Sequence, residues 1–259
     1  MSANNDTIGK TITVTVLLCV VCSVIVSAAA VLLKPQQIAN KELDRKTNIL
    51  AAAGLMDSSK SVDELFSQIT TKVIDLETGK FTDAVNASTF DARKASKDPE
   101  LSTKLDRSID IASIKRQAKY QTVYLVETEG KLEKVILPVH GYGLWSTLYG
   151  FLALEGDLNT VVGLGFYSHA ETPGLGGEVD NPMWKSQWPG KKVYPEDSMD
   201  PKLGLVKGKV DPASANAAYQ IDGLSGATLT SNGVSKMVEF WMGENGYAPF
   251  LTNLKAGGV

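Results

Sequence analysis

Read from the N-terminus, the pattern of apolar and polar positions changes character twice. Residues 11–33, TITVTVLLCVVCSVIVSAAAVLL, carry no charge. As a helix rising about 1.5 Å per residue they would span roughly 35 Å, against about 30 Å of bilayer hydrocarbon. The stretch predicts a transmembrane helix that crosses with some tilt. A cleaved signal peptide is the alternative. It would have a shorter apolar region and a more basic start, whereas Lys10 is the only basic side chain before this run. Ser27-Ala28-Ala29-Ala30 imitates a cleavage site, but apolar residues continue past it, so an uncleaved single anchor is the reading taken. Pro35 sits where this helix can break or kink. Residues 35–70 then read as helical: IANKELDRKTNILAAAGL is rich in helix formers, and Ser61 to Phe66 resembles a capped helix start.

Beyond residue 70 the period shortens towards that of strands. Val73–Leu76 and Tyr120–Val126 read as strands, separated by a polar stretch, NASTFDARKASKDPELSTKLDRS, that reads as a surface insertion. YQTVYLVETEGKLEKVILPV holds two strand-like runs around Glu129-Gly130, a hairpin signal. LWSTLYGFLALE and TVVGLGFYSHAE follow, with Gly-Asp at the intervening turn. ETPGLGGEVDNPMWKSQW is a Gly-rich loop leading into a helix, on which Trp184 and Trp188 fit one packing face. KVYPEDSMDPKLGLVKG reads as loop and strand. A final helix is predicted from about Ser231 through VSKMVEFWM to Gly243–Gly246. Strands and helices do not alternate as βαβ units. The expected class is α+β: one N-terminal transmembrane helix, then a soluble domain with a mainly antiparallel sheet and flanking helices. The expected boundaries are a tail at 1–10, the membrane helix at 11–33, a helical or mixed spacer at 34–120, and the soluble domain at 121–259.

Composition fits a globular body, with 43% hydrophobic and 21% charged residues among 259. A net charge of -3 without a basic cluster argues against a nucleic-acid partner. Heptads, Pro-rich tracts and short repeats are absent. Cys19 and Cys22 both fall in the apolar segment. Their C-x-x-C spacing suits a redox or metal pair, but a metal wants about four ligands and no His or further Cys lies nearby. They read as small apolar filler, and no metal site is expected. On orientation, Lys34, Lys41, Arg45 and Lys46 outnumber Lys10. The positive-inside rule would thus put the body in the cytoplasm, but the short N-terminal tail gives it little to count.

Self-contained catalysis is not expected. His140 and His169 are the two histidines, and neither belongs to a HExxH, CxxC…CxxC or GxSxG pattern. The glycines at 163–165 and 174–177 lack a phosphate-loop signature. One stretch stands out, IDGLSGATLTSNG at 221–233. Small residues at Gly226 and Ala227 leave Thr228 sterically open, and the helix start that follows offers unpaired N–H groups suited to a phosphate. Thr230 and Ser231 read as that helix's cap. A threonine hydroxyl is a poor nucleophile without a base, and none is in the stretch. If Thr228 carries a phosphate ester, another enzyme attaches it.

The D-x-x-S-G-A-T pattern of Asp222, Ser225, Gly226, Ala227 and Thr228 resembles the flavinylation site of FMN-binding domains. GLWSTLYGFLAL at 143–154 and SHAETPGLGG at 168–177 are similar to that family's flavin-lining segments. The anchor, long spacer and domain together resemble the C-subunits (NqrC) of the sodium-translocating NADH:quinone oxidoreductases over nearly the whole chain. The specific motifs lie at 130–235, and 40–115 is matched mainly by layout. The resemblance implies that a flavin transferase joins FMN through its phosphate to Thr228. It also implies that Trp145 and Leu175 give apolar contact to the ring, and that Glu171 and Thr172 hydrogen-bond ribityl or ring atoms. It further implies an assembly of six subunits in the bacterial inner membrane that oxidises NADH, reduces ubiquinone and exports sodium. In it this chain relays electrons from a periplasmic domain and binds neither NADH nor quinone itself. Two alternatives are the corresponding flavoprotein of the ferredoxin-linked (Rnf-type) complex and a cofactor-free anchored structural domain. A free flavin-reducing enzyme would need a nicotinamide site that the sequence does not show.

Overall fold

The computed structural model describes residues 7–258. Helix α1 spans Ile8–Ala52. The chain divides into one unit up to Asp44 and another from Arg45 onward. In the first unit α1 is exposed at every described position, and its apolar stretch is long enough to cross a membrane. The helix continues through Pro35, which corrects the expected break. Proline's fixed φ suits a helix, and the strong helix formers that follow carry the turn across the one missing N–H.

The second unit begins with the last turns of α1. Helix α1 stops well short of residue 70: Gly54 takes a φ of 63°, and the Leu55 amide donates back to the Leu50 carbonyl at 2.9 Å, a left-handed stop that suits glycine. Helix α2, Val62–Phe66, carries the capping box, with Ser61 and Glu64 each bonding the other's backbone. Strands β1 (Ile69–Asp75) and β2 (Lys80–Phe81) follow. The polar insertion is mostly exposed yet ordered. It holds helix α3, Ala92–Ala95, and strand β3, Ser102–Lys104, which pairs antiparallel with β4, Arg116–Ala118, just beyond it. It is also tied inward, since the Arg93 guanidinium lies 4.0 Å from the centre of the Tyr149 ring.

Strands β5 (Tyr120–Thr128), β6 (Lys131–Tyr142), β7 (Thr147–Glu155) and β8 (Val161–Ser168) complete the main sheet. Its order is β2-β1-β5-β6-β7-β8, and every pairing is antiparallel. The β5–β6 turn has Glu129 at φ 53° and Gly130 at φ 77°, the two left-handed residues that a tight hairpin requires. Alternation along the strands feeds two cores. One face of β6 and β7 packs Ile136, Phe151 and Ala153 with Ile49, Leu50 and Leu65. The other packs Val135, Leu137, Val139 and Leu152 with the C-terminal helices.

The chain returns through short helix α4 (Pro182–Lys185), strand β9 (Gly204–Leu205) and strand β10 (Gln220–Ile221), the last two parallel. Helix α5 spans Thr228–Met242 and α6 spans Ala248–Lys255. The final helix of the sequence pattern therefore starts three residues before the expected Ser231, and α6 is an element that the pattern did not predict. Helix α5 approaches β6 closely because glycine stands at the crossing. A Cβ at Gly141 would meet Met237 Cβ at 2.8 Å, and one at Gly233 would meet the Tyr142 carbonyl oxygen at 2.5 Å.

β5 pairs with β6 only as far as Ile136. Beyond that point β6 stays paired with β7, and two carbonyls on its other side find partners from the C-terminal segment. Tyr247 Oη donates to Pro138 O at 2.6 Å, and Trp241 Nε1 donates to His140 O at 2.7 Å. His140 stacks on Tyr149 and lies against Trp241. Burial, and then the nearby Arg93 guanidinium, push its pKa down from 6.5 to about 4, against a smaller upward pull from Asp110. The folded protein thus holds His140 neutral. Its stabilisation is complete above pH 6.5 and is lost as pH falls from 6.5 towards 4. We expect His140→Phe to flatten the acid loss of stability in this window by on the order of 2 kcal/mol, read from urea midpoints at pH 7 and pH 4.5.

Candidate functional site

Three loops converge at one end of the sheet: residues 143–146 between β6 and β7, 169–181 after β8, and 222–227 before α5. The first is a four-residue turn closed by the Gly143 amide donating to Ser146 O at 2.8 Å. In the second, Thr172-Pro173-Gly174-Leu175 forms a turn in which the Leu175 amide donates to Thr172 O at 3.1 Å. Gly174 has a φ of 74°, so proline then glycine occupy the positions that a type II turn prefers.

Glu171 fastens the loops together. Its Oε1 accepts from the amides of Leu144, Trp145 and Ser146 at 3.1, 3.0 and 3.2 Å. Its Oε2 accepts from Thr230 Oγ1 at 2.7 Å and from the Leu144 amide at 3.2 Å. The residue is 5% exposed. Burial raises its pKa, but the Thr230 hydroxyl and the amides of Trp145, Ser146 and Leu144 outweigh that and hold it below the ordinary 4.5. The stability this adds is present above pH 4.5 and is lost as pH falls through the lowered value. The neighbouring loop residues are fixed as well: Ala170 N donates to Ser146 Oγ at 2.7 Å. His169 Nδ1 accepts from the Glu171 amide, and His169 Nε2 pairs with Asp180.

The third loop is anchored at its start. The Asp222 carbonyl accepts from Trp184 Nε1, its amide donates to Gln187 Oε1, and its Oδ1 accepts from the Val210 amide at 2.8 Å. Trp184 and Trp188 are buried edge-to-face, packing residues as expected, but α4 ends at Lys185 and carries only the first of them. Ser225, Gly226 and Thr228 are exposed, while Ala227 between them is buried. Gly226 has a φ of 71°, and a Cβ there would meet Leu175 Cδ2 at 2.9 Å.

The four hydroxyls of this stretch part ways here. Thr230 and Ser231 are buried and are not the cap the sequence suggested. Ala227 holds the N-cap position with no side-chain acceptor. Ser231 Oγ accepts from the Leu224 amide and donates to Ala227 O, and Thr230 is committed to Glu171. Thr228 is the first residue of α5. Around the site Trp145 is 65% exposed, Leu229 58%, Leu175 44% and Leu144 37%. Large apolar groups left in water beside an open hydroxyl suit a flat aromatic ligand, and the uncapped start of α5 suits its phosphate.

Glu171 is enclosed by protein donors, so its carboxylate serves the loops; Thr172 remains exposed. Leu144, Leu229, Ser146 and Thr230 are the site residues that sequence reasoning did not assign. Leu144 and Ser146 had a signal in the 143–154 segment and Leu229 as the neighbour of Thr228, whereas Thr230 had been read as a cap. Among the described residues no cluster of metal-ligating side chains is present.

This arrangement defines a class, a domain built to hold FMN. The FMN-binding domain profile matches residues 143–243, from the first glycine of the Trp145 loop to the C-cap of α5. The C-subunit of the Na(+)-translocating NADH-quinone reductase of Pseudomonas aeruginosa is 56% identical over 98% of this chain and 99% of its own length. The C-subunit of the Vibrio alginolyticus enzyme is 49% identical over 99% of each. The crystal structure of NqrC from Shewanella oneidensis superposes with a TM-score of 0.77 at 37% identity, over 84% of this chain and 99% of that one. The chain belongs to the NqrC family, the C-subunits of Na(+)-translocating NADH-quinone reductases.

The glycine at position 176 generates a direct test. A Cβ there would fall 2.5 Å from Thr230 Oγ1 and 2.7 Å from Glu171 Oε2. Gly176→Ala is expected to cost about 1–3 kcal/mol in chemical denaturation, with the Gly190→Ala substitution, which meets no neighbour but has φ 81°, costing about 1 kcal/mol from backbone strain alone.

Proposed function

We propose that this chain is the membrane-anchored FMN carrier of a Na(+)-translocating NADH-quinone reductase, holding the flavin through a phosphoester on Thr228 and relaying electrons between redox centres of the complex. The observation that carries this reading is the sorting of hydroxyls. Thr230 and Ser231 are consumed by the fold, whereas Thr228 is exposed at the first position of a fifteen-residue helix, and no hydrogen bond of its side chain is recorded among the described residues. A phosphate there would gain about 0.3–1 kcal/mol per charge from the helix dipole.

Bound FMN supplies one- and two-electron redox chemistry. The chain's residues hold and shield it. Leu175 beside Gly226, Leu229 after the tether, and Trp145 with Leu144 on their loop offer the apolar surface for the ring. Thr172 offers an exposed hydroxyl for ribityl or ring atoms, and Asp222, Ser225, Gly226 and Ala227 shape the tether loop. No base contacts Thr228 among the described residues, so a separate flavin transferase makes the ester. A covalent link keeps the cofactor where no FMN pool can replace it, which favours a periplasmic domain on a single-pass inner-membrane helix. Its partners are then the other subunits of the complex, the transferase and membrane lipid. The full-length similarity to the NqrC proteins supports this assignment over a ferredoxin-linked complex.

Co-expression with a flavin transferase should give a protein band that fluoresces under ultraviolet light after denaturing electrophoresis, and a mass increase of one FMN per chain. Thr228→Ala should lose both, and Thr228→Ser should retain them. An unlabelled wild-type chain would sink the covalent reading; a labelled Thr228→Ala would move the ester to Ser225.

A further inference from the structure

Glu171 carries an ionised group into a place where a neutral one would be cheaper to bury. All its recorded partners are dipoles: three consecutive backbone amides and one hydroxyl. No ion pair among the described residues includes it, so its charge is spread over hydrogen bonds but not cancelled. The loop it holds is the one that presents Trp145, and the hydroxyl it holds belongs to the first turn of α5, two residues after Thr228. Glycine makes both approaches possible. A Cβ at Gly143 would meet Glu171 Oε1 at 2.7 Å, and one at Gly176 would meet Oε2 at the same distance. A glutamine could not reproduce this set. It has one acceptor oxygen, and its NH2 would face either the Leu144 amide or the other loop amides, donor against donor.

Resting on the assignment of FMN to Thr228, we infer that Glu171 is a positioning residue for the flavin: it fixes the Trp145 loop against the tether helix, and its uncancelled charge biases the flavin towards a lower reduction potential. The first part follows from covalent continuity, since the carboxylate binds the Trp145 amide itself at 3.0 Å. The second follows from Coulomb's law in a partly dry site, where a fixed negative charge opposes the arrival of an electron nearby. Glu171 would act on a bound flavin through the loop it fixes and through its field.

The test uses the full-length chain co-expressed with a flavin transferase. Indole quenches an adjacent excited flavin by electron transfer, so Trp145→Phe should lengthen the flavin fluorescence lifetime. Glu171→Gln should keep one FMN per chain by mass, lengthen the lifetime in the same direction, and raise the flavin midpoint potential. The double variant should show the lifetime of Trp145→Phe alone, because both changes remove one coupling. Ser61→Ala, which removes the cap of α2, should lower the melting temperature and move neither reading. A labelled Glu171→Gln with wild-type lifetime and wild-type potential would overturn the inference. An unlabelled wild-type chain would instead overturn the Thr228 assignment. If Glu171→Gln does not fold, Thr230→Val removes the one hydroxyl donor and leaves the charge. It should still lengthen the lifetime, and an unchanged lifetime would overturn the inference.

Discussion

The Glu171 carboxylate is where separate parts of the chain become one site. Three backbone amides from the 143–146 loop and the Thr230 hydroxyl from α5 all point their hydrogens at it. Remove the carboxylate and those donors face each other across a nearly dry gap, an arrangement that costs about 1–3 kcal/mol for each group left unpaired. Its geometry in turn demands glycine at 143 and 176, where any side chain would occupy the space of the carboxylate oxygens. The small residues of the Gly-rich loop thus have a packing reason as well as a turn reason.

That site needs a rigid floor, and the sheet supplies it where two strands part. β5 and β6 separate beyond the Tyr124–Ile136 pair, which leaves β6 carbonyls on the β5 side without a strand partner. Pro138 is tolerated there because its missing N–H falls on the vacated edge. Trp241 and Tyr247 then satisfy the orphan carbonyls from the C-terminal helices, which fixes α5 along the sheet. With α5 fixed, its first residue, Thr228, is fixed at the mouth of the loops. The unused strand edge becomes the seat of the helix that begins with Thr228.

Hydroxyl chemistry shows how burial assigns roles to similar residues. Ser225, Thr228, Thr230 and Ser231 lie within seven positions of sequence. Two are turned inward and spend their hydrogen bonds on the Glu171 carboxylate and on the loop backbone. Two face solvent. A modifying enzyme can reach the second pair only, whatever its preference for threonine or serine.

Much of this architecture is legible along the chain because it rests on short-range physics. The charge-free run at 11–33, the Ser61–Glu64 capping box, the left-handed Glu129-Gly130 hairpin and the strand periods on either side each depend on neighbours a few residues apart. The α+β class was readable on the same terms, while the S-G-A-T segment gained its meaning from its resemblance to FMN-binding domains. What the sequence could not decide depends on partners far along the chain. Glu171 meets its amides 25–27 residues away and Thr230 at a separation of 59, so nothing local marks it as the brace between these segments. Thr230 and Ser231 look like caps because caps are a local device, yet tertiary burial turned them inward and let α5 begin at Thr228. Helix α6 escaped notice because two turns give too little periodicity, and the Phe250 core contact that stabilises it lies against distant strands. Local propensity determined the elements of this protein. Only the folded chain, by deciding which polar groups are buried and must be paired, determined the site they build.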